Sequence, residues 1–306
     1  MITAVGLRKE FGPKVAVDDL SFEVRPGVVT GFLGPNGAGK STTMRLMLDL
    51  DRGGGETRFD GRRYRDIPRP MCQIGAVLEA KAFHPTRSAR NHLLMLAAAS
   101  GIGSGRVEEV LALVGLSDVA SGRPKGFSLG MSQRLGLACA LLGDPHTLVL
   151  DEPANGLDPH GIQWLRDVLK SLAAQGRTVF VSSHLLAEMA LMADELVVIG
   201  RGRLIDSGPV SEFVGRFTRT SVLVRSPQAS RLADRLAEEG AAVDPLPDGS
   251  LVVAGADASA VGEIAAASGV VLHELTTRSA SLEEAFLSAT GAAEEYRGVS
   301  APGSAA

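Results

Sequence analysis

Nine consecutive residues constrain this chain more than any other stretch: Gly34-Pro35-Asn36-Gly37-Ala38-Gly39-Lys40-Ser41-Thr42. They fit the phosphate-loop pattern G-x-x-x-x-G-K-[ST] without a mismatch. The flanks fit as well. Val28, Val29, Gly31, Phe32 and Leu33 read as a buried strand running in. Residues 42–50, with Met44, Leu46, Met47 and Leu48, read as a helix running out. Glycines let the backbone curl until successive N–H groups face one concavity, and the helix start adds the positive end of its dipole. From such a loop Lys40 reaches the β- and γ-phosphates, while the Ser41 hydroxyl suits Mg²⁺. The stretch implies a nucleoside triphosphate.

Composition narrows the rest. A chain of 306 residues suggests about two domains, and 45% hydrophobic with 22% charged residues predicts a globular one. A formal net charge of −4 argues against a general nucleic-acid or anionic-membrane binder. Cys72 and Cys139 lie too far apart for metal-ligand spacing and suit a reducing compartment as small hydrophobes. No basic-then-apolar leader stands at the start, and no apolar run approaches a membrane span, so a soluble chain is expected.

Taken in order, residues 1–29 read as antiparallel strands, with Phe11-Gly12 at the turn between them. An aromatic there can stack on a base or close a small β-core. Residues 52–69, rich in Gly, Arg and Asp, read as a surface hairpin or loop region. Ile74 to Leu78 reads as a short strand, and residues 91–115 show a helical period broken at Gly101 and Gly103. Ser128 is a good N-cap for a helix carrying residues 135–142. Thr147-Leu148-Val149-Leu150-Asp151-Glu152 is an apolar strand ending in two carboxylates. Downstream of a phosphate loop, such a pair supplies one acid near a metal and one to orient water. Pro159 opens the next helix, and His184 follows a buried strand over residues 178–182, where an α/β sheet gathers its site residues.

Phe11, the phosphate loop, a serine-led signature at Phe127-Ser128-Leu129-Gly130-Met131, Asp151-Glu152, the Leu157-Asp158 turn and His184 occur in one order. Together they resemble the ATP-binding subunits of ABC transporters over residues 1 to about 215. Within that family the chain looks most like stand-alone subunits of drug and antibiotic-resistance exporters. The resemblance implies an α/β fold: a P-loop NTPase core with an antiparallel β subdomain and a helical insertion at about 80–135. It implies ATP and Mg²⁺, with Phe11 on adenine and Gly34, Pro35, Asn36, Gly37, Ala38, Gly39, Lys40, Ser41 and Thr42 around the phosphates. Asp151 and Ser41 would serve the metal, Glu152 the attacking water, and His184 the γ-phosphate. Ser128, Gly130 and Asp158 would complete the nucleotide site of a second copy. A homodimer with two shared ATP sites, attached to a polytopic membrane permease at the cytoplasmic face of the membrane, follows as the expected assembly. Residues 79–90, with Phe83, Arg87 and Arg90, are the expected docking segment.

The sequence departs from the family pattern in three places. The signature lacks the usual Leu-Ser-Gly-Gly-Gln, the turn reads Ala154-Asn155-Gly156, and Glu79 stands where a metal-contacting glutamine is expected. A carboxylate there still suits Mg²⁺ but adds negative charge beside the phosphates.

Residues 216–296 change character. Strand and helix signals in the order βαββαβ, with a last strand over residues 270–272, predict a small α+β domain of the ferredoxin-like kind. Ser281-Leu282-Glu283-Glu284 reads as a capping box, and residues 297–306 as a disordered tail. The competing reading is a soluble ATPase of the same superfamily acting on ribosomes or DNA. Such chains carry two phosphate loops or long coiled-coil insertions. Neither is present here, and no nucleic acid is expected as a partner.

Overall fold

The computed structural model describes residues 1–78, 83–84, 86–217, 221–278 and 281–290. Two compact units emerge, Met1–Val210 and Ser211–Ala289.

The first unit opens with β1 (Ile2–Phe11) and β2 (Lys14–Val24), which pair antiparallel from Ile2↔Val24 to Phe11↔Lys14. Next come β3 (Val29–Leu33), α1 (Lys40–Met47) and β4 (Gly54–Phe59). The loop expected over residues 52–69 is therefore in part a strand. β4 pairs antiparallel with β1, and its Thr57 and Phe59 are buried while Arg58 between them is exposed. The glycines at its start and its charged outer face hid that alternation. The helix after the phosphate loop begins at Lys40, two residues earlier than its apolar pattern indicates.

β5 (Ile74–Val77) leads into the insertion, where α2 (Ala89–Ser100) and α3 (Gly105–Leu113) are separated at Gly101, followed by α4 (Leu129–Leu141). The core resumes with β6 (Thr147–Leu150), α5 (Pro159–Ala174), β7 (Thr178–Ser183), α6 (Leu186–Met192), β8 (Glu195–Gly200) and β9 (Arg203–Pro209). α6 and β9 carry weak patterns and were not expected. The main sheet runs β5-β6-β7-β3-β8-β9, parallel except for β9. Every residue of β3, β6 and β7 is buried. Strands covered on both faces need continuous apolar runs, which Val29–Leu33 and Thr147–Leu150 supply.

A stack of Phe22, Phe32 and Phe180 joins the antiparallel sheet to the main sheet, with ring centroids 5.0–5.7 Å apart. Each such pair adds about 0.5–1.5 kcal/mol beyond burial of its apolar area. This seam fixes β3, and hence the phosphate loop that follows it, against β2.

The second unit begins within α7 (Val210–Phe217) and continues as β10 (Ser221–Arg225), α8 (Ala229–Glu238), β11 (Ala242–Pro245), β12 (Leu251–Ala254), α9 (Ala258–Ala267), β13 (Glu274–Arg278) and α10 (Leu282–Thr290). The strands order as β11-β12-β10-β13, all antiparallel, over a core that includes Val222, Val224, Leu232, Val253 and Val261. The last strand lies at Glu274–Arg278 and not at residues 270–272. Val270 plugs the core from a loop, while polar Thr276, Thr277 and Arg278 form the strand by pairing with β10. At α10 the Ser281 Oγ accepts from Glu284 N–H, and the Glu284 carboxylate accepts from Ser281 N–H, each at 3.1 Å. The tail read as disordered lies outside the described residues.

Candidate functional site

β3 ends at Leu33, and the chain curls through residues 34–39 before Lys40 starts α1. Gly39 caps that helix at φ +103°. A Cβ there would sit 2.4 Å from the Ala16 carbonyl oxygen of β2, so the loop and β2 meet backbone to backbone. Asn36 to Thr42 line a cavity of about 530 Å³, together with Phe11, Lys14, Ala16, Glu152, Asn155 and His184. The sequence motifs thus converge across four strand ends, those of β1, β3, β6 and β7. Phe11 is 52% exposed at the end of β1, with the Lys9 ammonium 4.9 Å from its ring centroid. It is available to a ligand and does not close a small core.

Lys40 is only 8% exposed. Its Nζ donates to the Gly34 carbonyl at 2.7 Å and stands 3.9 Å from Glu152 Oε1. Burial holds this ammonium below its ordinary pKa range, while Glu152 and Asp151 favour its charged form. The ammonium lines the cavity, held by one backbone carbonyl and one carboxylate of the chain itself.

Asp151 and Glu152 follow β6 directly. Asp151 Oδ1 accepts a short hydrogen bond from Ser182 Oγ, and Glu152 N–H donates to the same Oγ at 2.9 Å. Glu152 has φ +49°, a left-handed conformation uncommon for a side chain of this kind. Its Oε2 lies 2.7 Å from His184 Nδ1, and its carbonyl accepts from Gln133 Nε2 of α4 at 3.2 Å.

The donor set suits Mg²⁺. Ser41 lines the cavity and Asp151 offers a carboxylate with one oxygen, Oδ1, already tied, so both donors are hard oxygens. Among the described residues no group of three or more His, Cys, Asp or Glu side chains is placed to hold a metal ion. Glu79 lies outside the described residues.

The structure does not bring every candidate into this cavity. Ser128 is exposed and caps α4, accepting from Met131 N–H at 3.1 Å. Gly130 packs against the Gly156 carbonyl, and Asp158 caps α5 by accepting from Gly161 N–H at 2.9 Å. None of the three lines the cavity. Phe83 of the expected docking segment is half-buried, edge-on to His92 with ring centroids 5.2 Å apart.

Sequence reasoning missed Ser182, Gln133, Lys14 and Asn155 as members of the site. Ser182 carried one signal, a hydroxyl directly after the apolar run Val179-Phe180-Val181 of a strand reading as buried, which requires a partner.

The fold and this cavity define a P-loop nucleotide-binding protein of the α/β class. Residues 17–155 match the family described as ABC transporter, and residues 220–283 match a domain of unknown function (DUF8746). An uncharacterised ABC transporter ATP-binding protein of Bacillus subtilis, YhcH, is 45% identical over 65% of this chain and 66% of its own length. The lantibiotic transport ATP-binding protein SrtF of Streptococcus pyogenes is 35% identical over 67% of this chain and 89% of its own. A solved ATP-binding subunit of an ABC transporter is 28% identical, with a TM-score of 0.65 over 71% of this chain and 93% of that one. The chain belongs to the ATP-binding proteins of ABC transporters and is an ATPase of that family. No helix among the described residues is long and apolar enough to cross a membrane.

Proposed function

We propose that the chain is the ATP-hydrolysing motor of an exporter, works as a two-fold dimer with two shared ATP sites, and drives a separate membrane subunit. One observation carries this reading. The phosphate loop, Glu152 and His184 line one cavity, while Ser128, Gly130 and Asp158 lie outside it. A nucleotide seated there keeps one side uncovered, and a second copy related by a two-fold axis brings its own signature serine to that side.

In this reading Phe11 stacks on adenine, the N–H groups of residues 36–42 wrap the phosphates, and Lys40 turns from Gly34 to the terminal phosphates. Mg²⁺, held by Ser41 and Asp151, supplies charge neutralisation on phosphate oxygens. Glu152 polarises the attacking water, and His184 holds the Glu152 carboxylate in place and meets the γ-phosphate. Asp158 reaches across the dimer. The exposed part of Phe83, with Arg87 and Arg90, receives the membrane subunit, so the chain sits at the cytoplasmic face of the membrane through that partner. SrtF is named for lantibiotic transport, which supports an antibiotic as cargo.

Mixing two inactive chains tests the shared sites. A Lys40→Ala chain paired with a Ser128→Arg chain builds one site with both lesions and one with neither. An equal mixture should recover about a quarter of wild-type hydrolysis, since half the dimers are mixed and each holds one intact site. No recovery in heterodimers purified through two different tags overturns the reading.

A further inference from the structure

Two carboxylates with different tasks stand side by side in this site, and one buried hydroxyl bonds the carboxylate of Asp151 and the backbone N–H of Glu152. Ser182 is wholly buried near the end of β7, between β6 and β3. In the sheet register Leu150 pairs with Val181 and Leu33 pairs with Ser183. Ser182 therefore lies beside Asp151 on one side and near the root of the phosphate loop on the other. His184 follows two residues later, so β7 carries both the hydroxyl and the imidazole.

The direction of these hydrogen bonds is dictated by chemistry. A backbone N–H can only donate, so Glu152 N–H gives its proton to Ser182 Oγ. The single Ser182 proton is given to Asp151 Oδ1. The order therefore runs from Glu152 N–H to Ser182 O–H to Asp151. It occupies Asp151 Oδ1 and leaves Oδ2 as the carboxylate oxygen turned to other partners. It also holds the peptide of Glu152 in its left-handed conformation, from which the side chain reaches His184.

We propose that Ser182 is a positioning residue for both carboxylates, setting Asp151 toward a phosphate-bound divalent cation and Glu152 toward the attacking water through one ordered hydroxyl. The inference rests on the motor reading for what the two carboxylates do. It adds that their relative placement is set from β7 and not by β6 alone. Removing the hydroxyl loosens both at once, whereas ordinary packing damage spares neither the fold nor the nucleotide.

Ser182→Ala and Ser182→Thr are compared in the full chain by three measurements. Mn²⁺ binding to the ADP-loaded protein is followed by electron paramagnetic resonance, nucleotide affinity by a fluorescent ADP in EDTA, and kcat and KM by ATP turnover. Loss of an outer partner of a metal ligand typically costs about 10–100-fold, so Ser182→Ala should lose about tenfold or more in both Mn²⁺ affinity and kcat. KM and the affinity in EDTA should stay within about threefold of wild type, because the phosphate loop is untouched. Ser182→Thr, which keeps the hydroxyl, should restore both losses. Unchanged Mn²⁺ affinity and kcat in Ser182→Ala overturn the proposal. So does a Thr variant as impaired as Ala with metal-free affinity falling in step, which marks Ser182 as packing. Ser182→Cys, nearly isosteric with a weak donor, takes the place of Ala if that chain does not fold and should show the same losses. A wild-type chain that binds Mn²⁺ and ADP yet never turns over ATP overturns the motor reading instead, and the Mn²⁺ comparison still decides the role of Ser182.

Discussion

Gly39→Ala separates two costs that glycine usually hides together. The residue has φ +103°, beyond the ordinary left-handed well, and its missing Cβ would lie 2.4 Å from the Ala16 carbonyl oxygen and 3.5 Å from Val17 Cγ2. Strain of this kind costs about 1–3 kcal/mol. The contact adds more, because the carbonyl cannot withdraw freely. Asp18 N–H bonds to the Gly202 carbonyl at 2.9 Å, and Gly202 N–H bonds to the Ala38 carbonyl at 3.0 Å, so β2, the turn at residues 200–202 and the loop are stitched together. Relief requires the loop to move by roughly 1 Å, a displacement that near a reacting phosphate can cost about 100-fold in rate.

Gly101→Ala is the control. It also has a positive φ, +68°, but nothing lies within 4 Å of its Cβ position, so only strain of about 1 kcal/mol remains. We expect Gly39→Ala to weaken a fluorescent ATP analogue by about tenfold or more, equivalent to about 1.4 kcal/mol. Its loss of melting temperature should exceed that of Gly101→Ala by about 2–4 °C for each further kcal/mol. Gly101→Ala should bind nucleotide as wild type does. Equal melting losses in the two variants, with nucleotide affinity retained in Gly39→Ala, would refute the backbone contact as the constraint on the loop.

Lys40→Ala should weaken ATP binding by about tenfold or more, a charge-assisted bond to phosphate being worth about 1.5–3 kcal/mol, as read by equilibrium titration. Glu152→Gln should keep ATP affinity within about threefold while kcat falls by about 10²–10⁴, and equal loss of affinity in both variants counts against this division of labour. Phe83→Asp should lower recovery of the chain with membranes while the purified chain keeps its basal ATPase. Membrane recovery that persists in cells lacking every candidate permease removes docking as the cause.

Local order was the legible part. The phosphate loop, the capping serine at Ser128, Pro159 after Asp158 and the capping box at Ser281 each lie within a few residues of their own partners. Their chemistry is complete inside one short stretch, and the described geometry bears each cap out. β3, β6 and β7 were legible because strands covered on both faces carry unbroken apolar runs. β4 and β13 were not, since their outer faces are polar and their pairing with β1 and β10 is decided at a distance.

The same distinction runs through the site. Glu152 was readable as a carboxylate at a strand end, but the groups that hold it are Gln133, 19 residues upstream, and Ser182 and His184, 30 and 32 residues downstream. The pairing of β6 with β7 brings Ser182 and His184 to Glu152, and the packing of α4 brings Gln133, both of them tertiary properties. Gln133 shows what this means for the chemistry. Its Nε2 is spent on the Glu152 carbonyl, while its Oε1 is buried with no partner among the described residues. A half-satisfied buried amide is costly, so the bond to Glu152 is the one hydrogen bond that offsets the burial of this side chain. The helix that begins at Ser128 is thereby tied to the backbone of Glu152. Together with the packing of Leu129 and Gly130 against Gly156, this bond couples the exposed start of α4 to the backbone that carries the Glu152 side chain.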